Sequence, residues 1–157
     1  MKGMKEGVTR LLSAIDRKEK IVVYGDYDVD GITSTSILVR CLKGMGADVG
    51  YYIPRRETEG YGLNEKALLS LRKEGYTLLI TVDCGISSAE LIARKPEGLD
   101  IIVTDHHTPP EQLPACIAVI NPHQKDCPYP YKELAGCGVA FMVARALHLA
   151  RDGVDFI

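Results

Sequence analysis

Four short apolar runs set the limits on what this chain can fold into: "IVVYG" from Ile21, "LLITVD" from Leu78, "DIIVTD" from Asp100 and "CIAVIN" from Cys116. Each is rich in β-branched residues and almost continuous in hydrophobicity. Parallel strands covered on both faces have that character, whereas a half-exposed strand alternates. A fifth run, "DVGYYIP" from Asp48, is more polar and suits a sheet edge. Helical spacing fills the gaps. Val8, Leu11, Leu12 and Ile15 mark one helix, from Val8 to Arg17. Ile37, Leu38, Cys41, Leu42 and Met45 mark a second, from Ile32 to Met45, closed by Gly46. Leu63, Ala67, Leu68 and Leu71 mark a third, from Leu63 to Lys73, with Gly75 as its stop. Ser87 or Ser88 can cap a helix running to Arg94, and Gly138 opens another through Leu149. Strand alternating with helix predicts an α/β fold: a five-stranded, mainly parallel sheet with helices on both faces and right-handed crossovers.

At 157 residues, 46% of them hydrophobic and 25% charged, the chain makes one domain with a real core. No apolar run approaches the ~18 residues of a membrane span, and no signal peptide precedes the first charged helix. The formal charge of −2 gives no global pull toward nucleic acid, so a polyanion would have to meet a local basic patch. The cysteines at 41, 84, 116, 127 and 137 are odd in number, scattered and without a CxxC. They read as buried or incidental thiols of a protein in a reducing cytoplasm, not as zinc ligands or disulfides.

In open parallel sheets, ligands collect outside the carboxyl ends of the strands. Here the polar residues sit at those ends. Asp26, Asp28 and Asp30 of "VVYGDYDVDG" follow the first strand, and Asp83 ends the third. Asp105, His106 and His107 end the fourth, while Asn121 and His123 follow the fifth. Carboxylates so close repel one another and raise at least one pKa unless a cation sits among them. Asp-x-Asp-x-Asp-Gly also opens a calcium-binding EF-hand loop, but the twelfth position of that loop needs a bidentate Glu and here holds Ile37. A phosphorelay receiver would use Asp83 with Thr104 and Lys125, yet has no use for His106–His107. Turn and N-cap roles explain any one aspartate alone, but not ligand-like residues at four strand ends together. A divalent-metal site explains them all. Carboxylates with imidazole and no thiolate favour a fairly hard cation, Mn²⁺ over Zn²⁺, with Mg²⁺ as the alternative.

The ordered motifs "GDYDVDGITS", "EGYGLN", "TVDCGIS", "TDHH" and "INPHQKDCPYPYKELAGCGVAF" resemble the DHH phosphoesterase superfamily. Within it they are most similar to the RecJ-type branch of single-strand-specific 5′→3′ DNA exonucleases. The resemblance implies a DHH-type catalytic domain, two Mn²⁺ ions and phosphodiester hydrolysis at the 5′ end of single-stranded DNA. It extends to DNA repair and recombination, with a single-strand-binding protein and a helicase as partners and no membrane. Carried over, the metal ligands are Asp28, Asp30, Asp83 and His106, with Asp83 bridging. Asp26 ligates or orients a water, Asp105 supports His106 from behind, and His107 approaches the scissile phosphate as electrophile or proton donor. Arg56 reads as a phosphate contact. Gly136 and Gly138 set free N–H groups at a helix start where a phosphate could dock.

Tyr24 stands where many small-substrate members carry a histidine, consistent with the RecJ-type branch, and Met142 replaces a lysine common there. The family's last metal-binding Asp is expected beyond Ile157, followed by its DHHA1 substrate domain. These 157 residues are therefore expected to fold, to hold a metal and to cleave poorly by themselves. Two other functions fit the same motifs: a phosphodiesterase for oligonucleotides or cyclic dinucleotides, and a catalytically incomplete nucleic-acid-binding module.

Overall fold

The computed structural model describes residues 1–153 and Asp155, the side chains of Arg56 and Thr58 excepted. Five strands form one sheet, all parallel, in the order β2-β1-β3-β4-β5. They are β1 (Lys20–Tyr24), β2 (Asp48–Tyr52), β3 (Leu78–Thr81), β4 (Asp100–Thr104) and β5 (Ala118–Ile120). The helices are α1 (Met4–Asp16), α2 (Val29–Gly44), α3 (Arg56–Glu59), α4 (Glu65–Lys73), α5 (Ala89–Ala93) and α6 (Gly136–Asp152).

Strand periodicity divides the core in two. Ile21 and Val23 face one side with Ile80 and Ile102, against Leu11 and Ile15 of α1, Leu38 and Leu42 of α2, and Val139 and Val143 of α6. Val22 and Tyr24 face the other with Leu79 and Ile101, against Leu68 and Leu71 of α4 and Ile92 of α5. Because both faces are covered, the central strands must be apolar throughout, which is why their sequences do not alternate. β2, at the edge, exposes Asp48 and Tyr51, as its more polar composition suggests.

The helix starts differ from the periodicity for local reasons. Asp28 caps α2 by accepting from the Gly31 N–H (2.8 Å), so the helix begins at Val29 and not at Ile32. Asn64 caps α4 in the same way through Ala67 N–H, leaving Leu63 outside the helix. α6 begins at Gly136, two residues before the expected Gly138. The short α3 has no apolar stripe, so periodicity gives no sign of it. Among the described residues no helix is long and apolar enough to cross a membrane.

The order 2-1-3-4-5 puts the topological switch point between β1 and β3. The connection leaving β1 departs toward β2 and the one entering β3 returns from it, so a crevice opens above the two strand ends. Ile80, fully buried at the centre of β3, anchors this arrangement. Ile80→Ala is expected to cost about 3 kcal/mol, whereas Ile32→Ala, at a site 49% exposed, should stay within about 0.5 kcal/mol. Urea unfolding of the two variants checks the contrast.

Candidate metal centre

The turn after β1 runs back on itself at close quarters. A Cβ at Gly25 would lie 2.0 Å from Thr35 Oγ1, and one at Gly31 would lie 2.5 Å from the Asp26 carbonyl oxygen. These two glycines let the first turn of α2 fold over the strand end, carrying Asp26, Asp28 and Asp30 into the crevice. Asp26 accepts from Tyr27 N–H (2.8 Å) and Asp28 from Gly31 N–H. The cap and turn roles are therefore real, and the same residues still line the crevice.

Asp30 is held differently. One of its oxygens accepts from Gly136 N–H (2.6 Å) and the other from Cys137 N–H (2.7 Å). The start of α6 does bind an anion, as helix starts do, but the anion is this carboxylate. The expectation of free N–H groups at Gly136 is thus corrected. Gly136 instead allows close approach: a Cβ there would lie 2.7 Å from Asp83 Oδ1. Gly138 sits inside the first turn of α6, where a Cβ would meet Leu134 Cδ2 at 2.9 Å. Burial raises the Asp30 pKa, but the two amides and His106 more than offset it and leave the carboxyl below its ordinary value.

Asp83 stands at the focus. It follows β3 with a left-handed backbone (φ 59°), a conformation Asp tolerates better than most residues, and it is 3% exposed. Among the described residues no backbone N–H reaches its carboxylate. Its partner is His106 Nε2, at 3.0 Å, and that nitrogen lies 3.6 Å from Asp30 Oδ2. Burial, with Asp30 and Asp28 nearby, pushes the Asp83 pKa up to about 7. Two sets of potential ligand atoms lie within 4.8 Å of one another: Asp26, Asp28 and Asp83, and Asp83, His106 and His107. Asp83 belongs to both. Asp30 falls outside either set.

Asp105, almost fully buried, accepts from His106 N–H (2.7 Å), His107 N–H (3.1 Å) and Ile86 N–H (3.0 Å). Its side chain also meets His107 Nδ1 at 2.7 Å. The imidazole it supports is therefore that of His107, not of His106, because the chain after β4 turns back and brings the second ring over the carboxylate. An acceptor so placed leaves the proton on Nδ1. Burial lowers the His107 pKa, but the bond to Asp105 and the surrounding carboxylates outweigh it, and the net shift is upward.

Asn121, fully buried after β5, donates to the His107 carbonyl (2.9 Å) and accepts from His123 N–H (2.8 Å). The sequence marks it as a polar strand end without a role; its task is to fix the histidine turn. Tyr61 donates to the Asp83 carbonyl (3.3 Å) and stands edge-on to His107, at 6.4 Å between ring centres. A cleft of about 360 Å³ opens between Tyr61, Ser87, Ser88 and His107. The Arg56 backbone starts α3, and its side chain lies outside the described residues.

The sequence pattern of the DHH family, N-terminal domain, matches residues 20–155. The chain belongs to the DHH family. It is 52% identical over 148 residues to the single-stranded-DNA-specific exonuclease RecJ of Bacillus subtilis, covering 94% of this chain and 19% of that protein. A crystal structure of exonuclease RecJ bound to manganese superposes with TM-score 0.86 and 40% identity, over 97% of this chain and 39% of the other. RecJ of Thermus thermophilus in complex with Mn²⁺ superposes with TM-score 0.81 and 36% identity, over 98% of this chain and 22% of the other. The chain thus spans about a fifth of the length of the Bacillus relative.

In this DHH domain the donor chemistry fits a hard divalent cation: carboxylate oxygens and imidazole nitrogens. The neighbouring Cys84 thiol points away, toward the Tyr24 carbonyl. The raised Asp83 pKa makes the metal-free fold bind a proton more tightly than the unfolded chain does. Stability from this group is therefore present at low pH and falls as pH rises from 3.8 to about 7. Asp83→Asn is expected to flatten that fall and to raise the metal-free melting temperature at pH 8, while cutting Mn²⁺ affinity by more than about 100-fold; calorimetry with and without metal checks both. Gly136→Ala, which pushes on Asp83, should weaken Mn²⁺ binding by about tenfold in a chain that still folds.

Proposed function

We propose that this chain is a DHH-type catalytic domain, residues 1–157, of a Mn²⁺-dependent single-strand-specific 5′→3′ DNA exonuclease. The observation that carries the reading is Asp83: a buried carboxylate shared by two ligand sets and compensated by no backbone donor among the described residues. A carboxylate so placed would hold a divalent cation with either set of neighbours, and divalent cations there would supply the chemistry of phosphodiester hydrolysis. The manganese-bound RecJ structures support Mn²⁺ as the metal, and Mg²⁺ would satisfy the same oxygen donors.

Bound there, two divalent cations would activate a water and stabilise the oxygens of a displaced phosphoryl group. The protein's part is placement. Asp28, Asp30, Asp83 and His106 supply ligand atoms, Asp30 from beside the His106 ring. Asp26, which burial holds above the ordinary carboxylate pKa, orients the water. Asp30 also ties α2 to α6 through the Gly136 and Cys137 amides. His107, steadied by Asp105 and Asn121, presents Nε2 as the donor to the leaving oxygen. Arg56, on the rim after β2, meets a backbone phosphate, a task its guanidinium fork suits.

The RecJ relatives act on single-stranded DNA by name, which supports that substrate over dinucleotides. Repair and recombination, a single-strand-binding protein and a helicase follow as the setting of the whole enzyme, in the cytoplasm. The five free cysteines agree with a reducing compartment.

The direct test replaces the matching segment of the Bacillus relative with this chain and follows 5′-phosphorylated single strands in Mn²⁺. The chimera should shorten them from the 5′ end, and Asp83→Asn in it should slow the reaction at least ~1,000-fold. Turnover of dinucleotides with long strands spared would favour the phosphodiesterase reading. Tight binding without cleavage would favour a binding module.

A further inference from the structure

Tyr61 stands beside the candidate metal centre, its hydroxyl on the Asp83 carbonyl and its ring edge-on to His107, on a stretch of backbone with unusual freedom. It lies between Gly60 (φ 76°, ψ −157°) and Gly62 (φ 76°), both in conformations that side-chain-bearing residues rarely adopt. The ring tip has its own contacts with the Asp83 carbonyl, Tyr27 and His107, but where the backbone between two such glycines carries it depends on what pins the segment on either side. The structure pins it on both.

On the leading side, Glu59 Oε2 accepts from Arg55 N–H (2.8 Å), while Oε1 accepts from the Tyr52 hydroxyl and from Asn64 Nδ2 (3.2 Å). The carboxylate thus joins the end of β2, the start of α3 and the cap of α4. On the trailing side, Asn64 Nδ2 also donates to the Tyr24 hydroxyl (3.2 Å), which in turn donates to the Gly62 carbonyl (3.0 Å). Tyr24 is fully buried at the end of β1 and stacks on Tyr52, at 5.1 Å between ring centres. The loop is therefore bolted to the strand that leads into Asp26 and Asp28. Glu59 itself belongs to neither ligand set.

We propose that Glu59 is a positioning residue, which through Tyr52, Asn64 and Tyr24 clamps the Gly60–Gly62 turn so that Tyr61 stays fixed over the metal centre and His107. The clamp serves substrate placement and not metal binding. This rests on the function proposed above, with a single-stranded polynucleotide as the ligand that meets Tyr61.

The test is a double-variant cycle on this chain in Mn²⁺, using 5′-phosphorylated oligothymidylate as probe and fluorescence anisotropy as readout. Glu59→Ala and Tyr61→Ala should each weaken binding by about tenfold, and the double variant by no more than either alone. Mn²⁺ affinity should change less than about twofold in Glu59→Ala. Amide hydrogen exchange should quicken in residues 59–64 and stay unchanged at the strand ends. Additive losses, or a loss of Mn²⁺ affinity matching the loss of DNA affinity, would overturn the clamp. If the unaltered chain binds no oligothymidylate, the substrate reading fails instead. Exchange in Glu59→Ala then decides the clamp alone: faster exchange confined to that segment supports it, and unchanged exchange refutes it.

Discussion

Charge crowding at the carboxyl ends of β1, β3 and β4 is the constraint that organises this domain. Five carboxylates share one crevice, and each must be compensated or protonated. Asp26 and Asp28 take amides from their own turn, Asp30 takes two from the start of α6, and Asp105 takes three from its own turn and from the loop after β3. Asp83 is left with an imidazole and a pKa near 7. The amide donors are thus distributed so that, among the described residues, Asp83 is left without one, at the point common to both sets of potential ligand atoms.

The fold brings this about through topology and close backbone approach. The 2-1-3-4-5 order opens the crevice beside the two strands that carry the acids. Gly25 and Gly31 fold α2 onto it, and Gly136 lets α6 press against Asp83. Asp30 then joins α2 to α6, whose apolar faces already share one half of the core. Packing and electrostatics therefore act on the same pair of helices, and disturbing either displaces the acids.

Much of this was legible in the sequence. The continuous β-branched runs specify buried parallel strands, and the polar residues that end them specify the rim. What stayed hidden is what depends on residues far apart in the chain. Nothing near Gly136 indicates that its amide is taken by a carboxylate 106 positions earlier, so its glycine reads equally well as a phosphate loop. Asp105 lies beside His106 in sequence, yet the turn carries its bond to His107. Asn121 is one polar residue among several until the histidine carbonyl is found against it. α3, Arg-Glu-Thr-Glu in sequence, lacks the apolar stripe that betrays a helix, and the contact that spans it, Arg55 N–H to Glu59, leaves no periodic signature.

Diffraction from crystals soaked in manganese, recorded at the manganese absorption edge, addresses the shared cation site without recourse to activity. An anomalous peak is expected bonded to the Asp83 carboxylate and shared with His106 Nε2 or with Asp28. A well-ordered crystal showing no peak there, or manganese only on surface acids while Asp83 keeps its bond to His106, would contradict such a site.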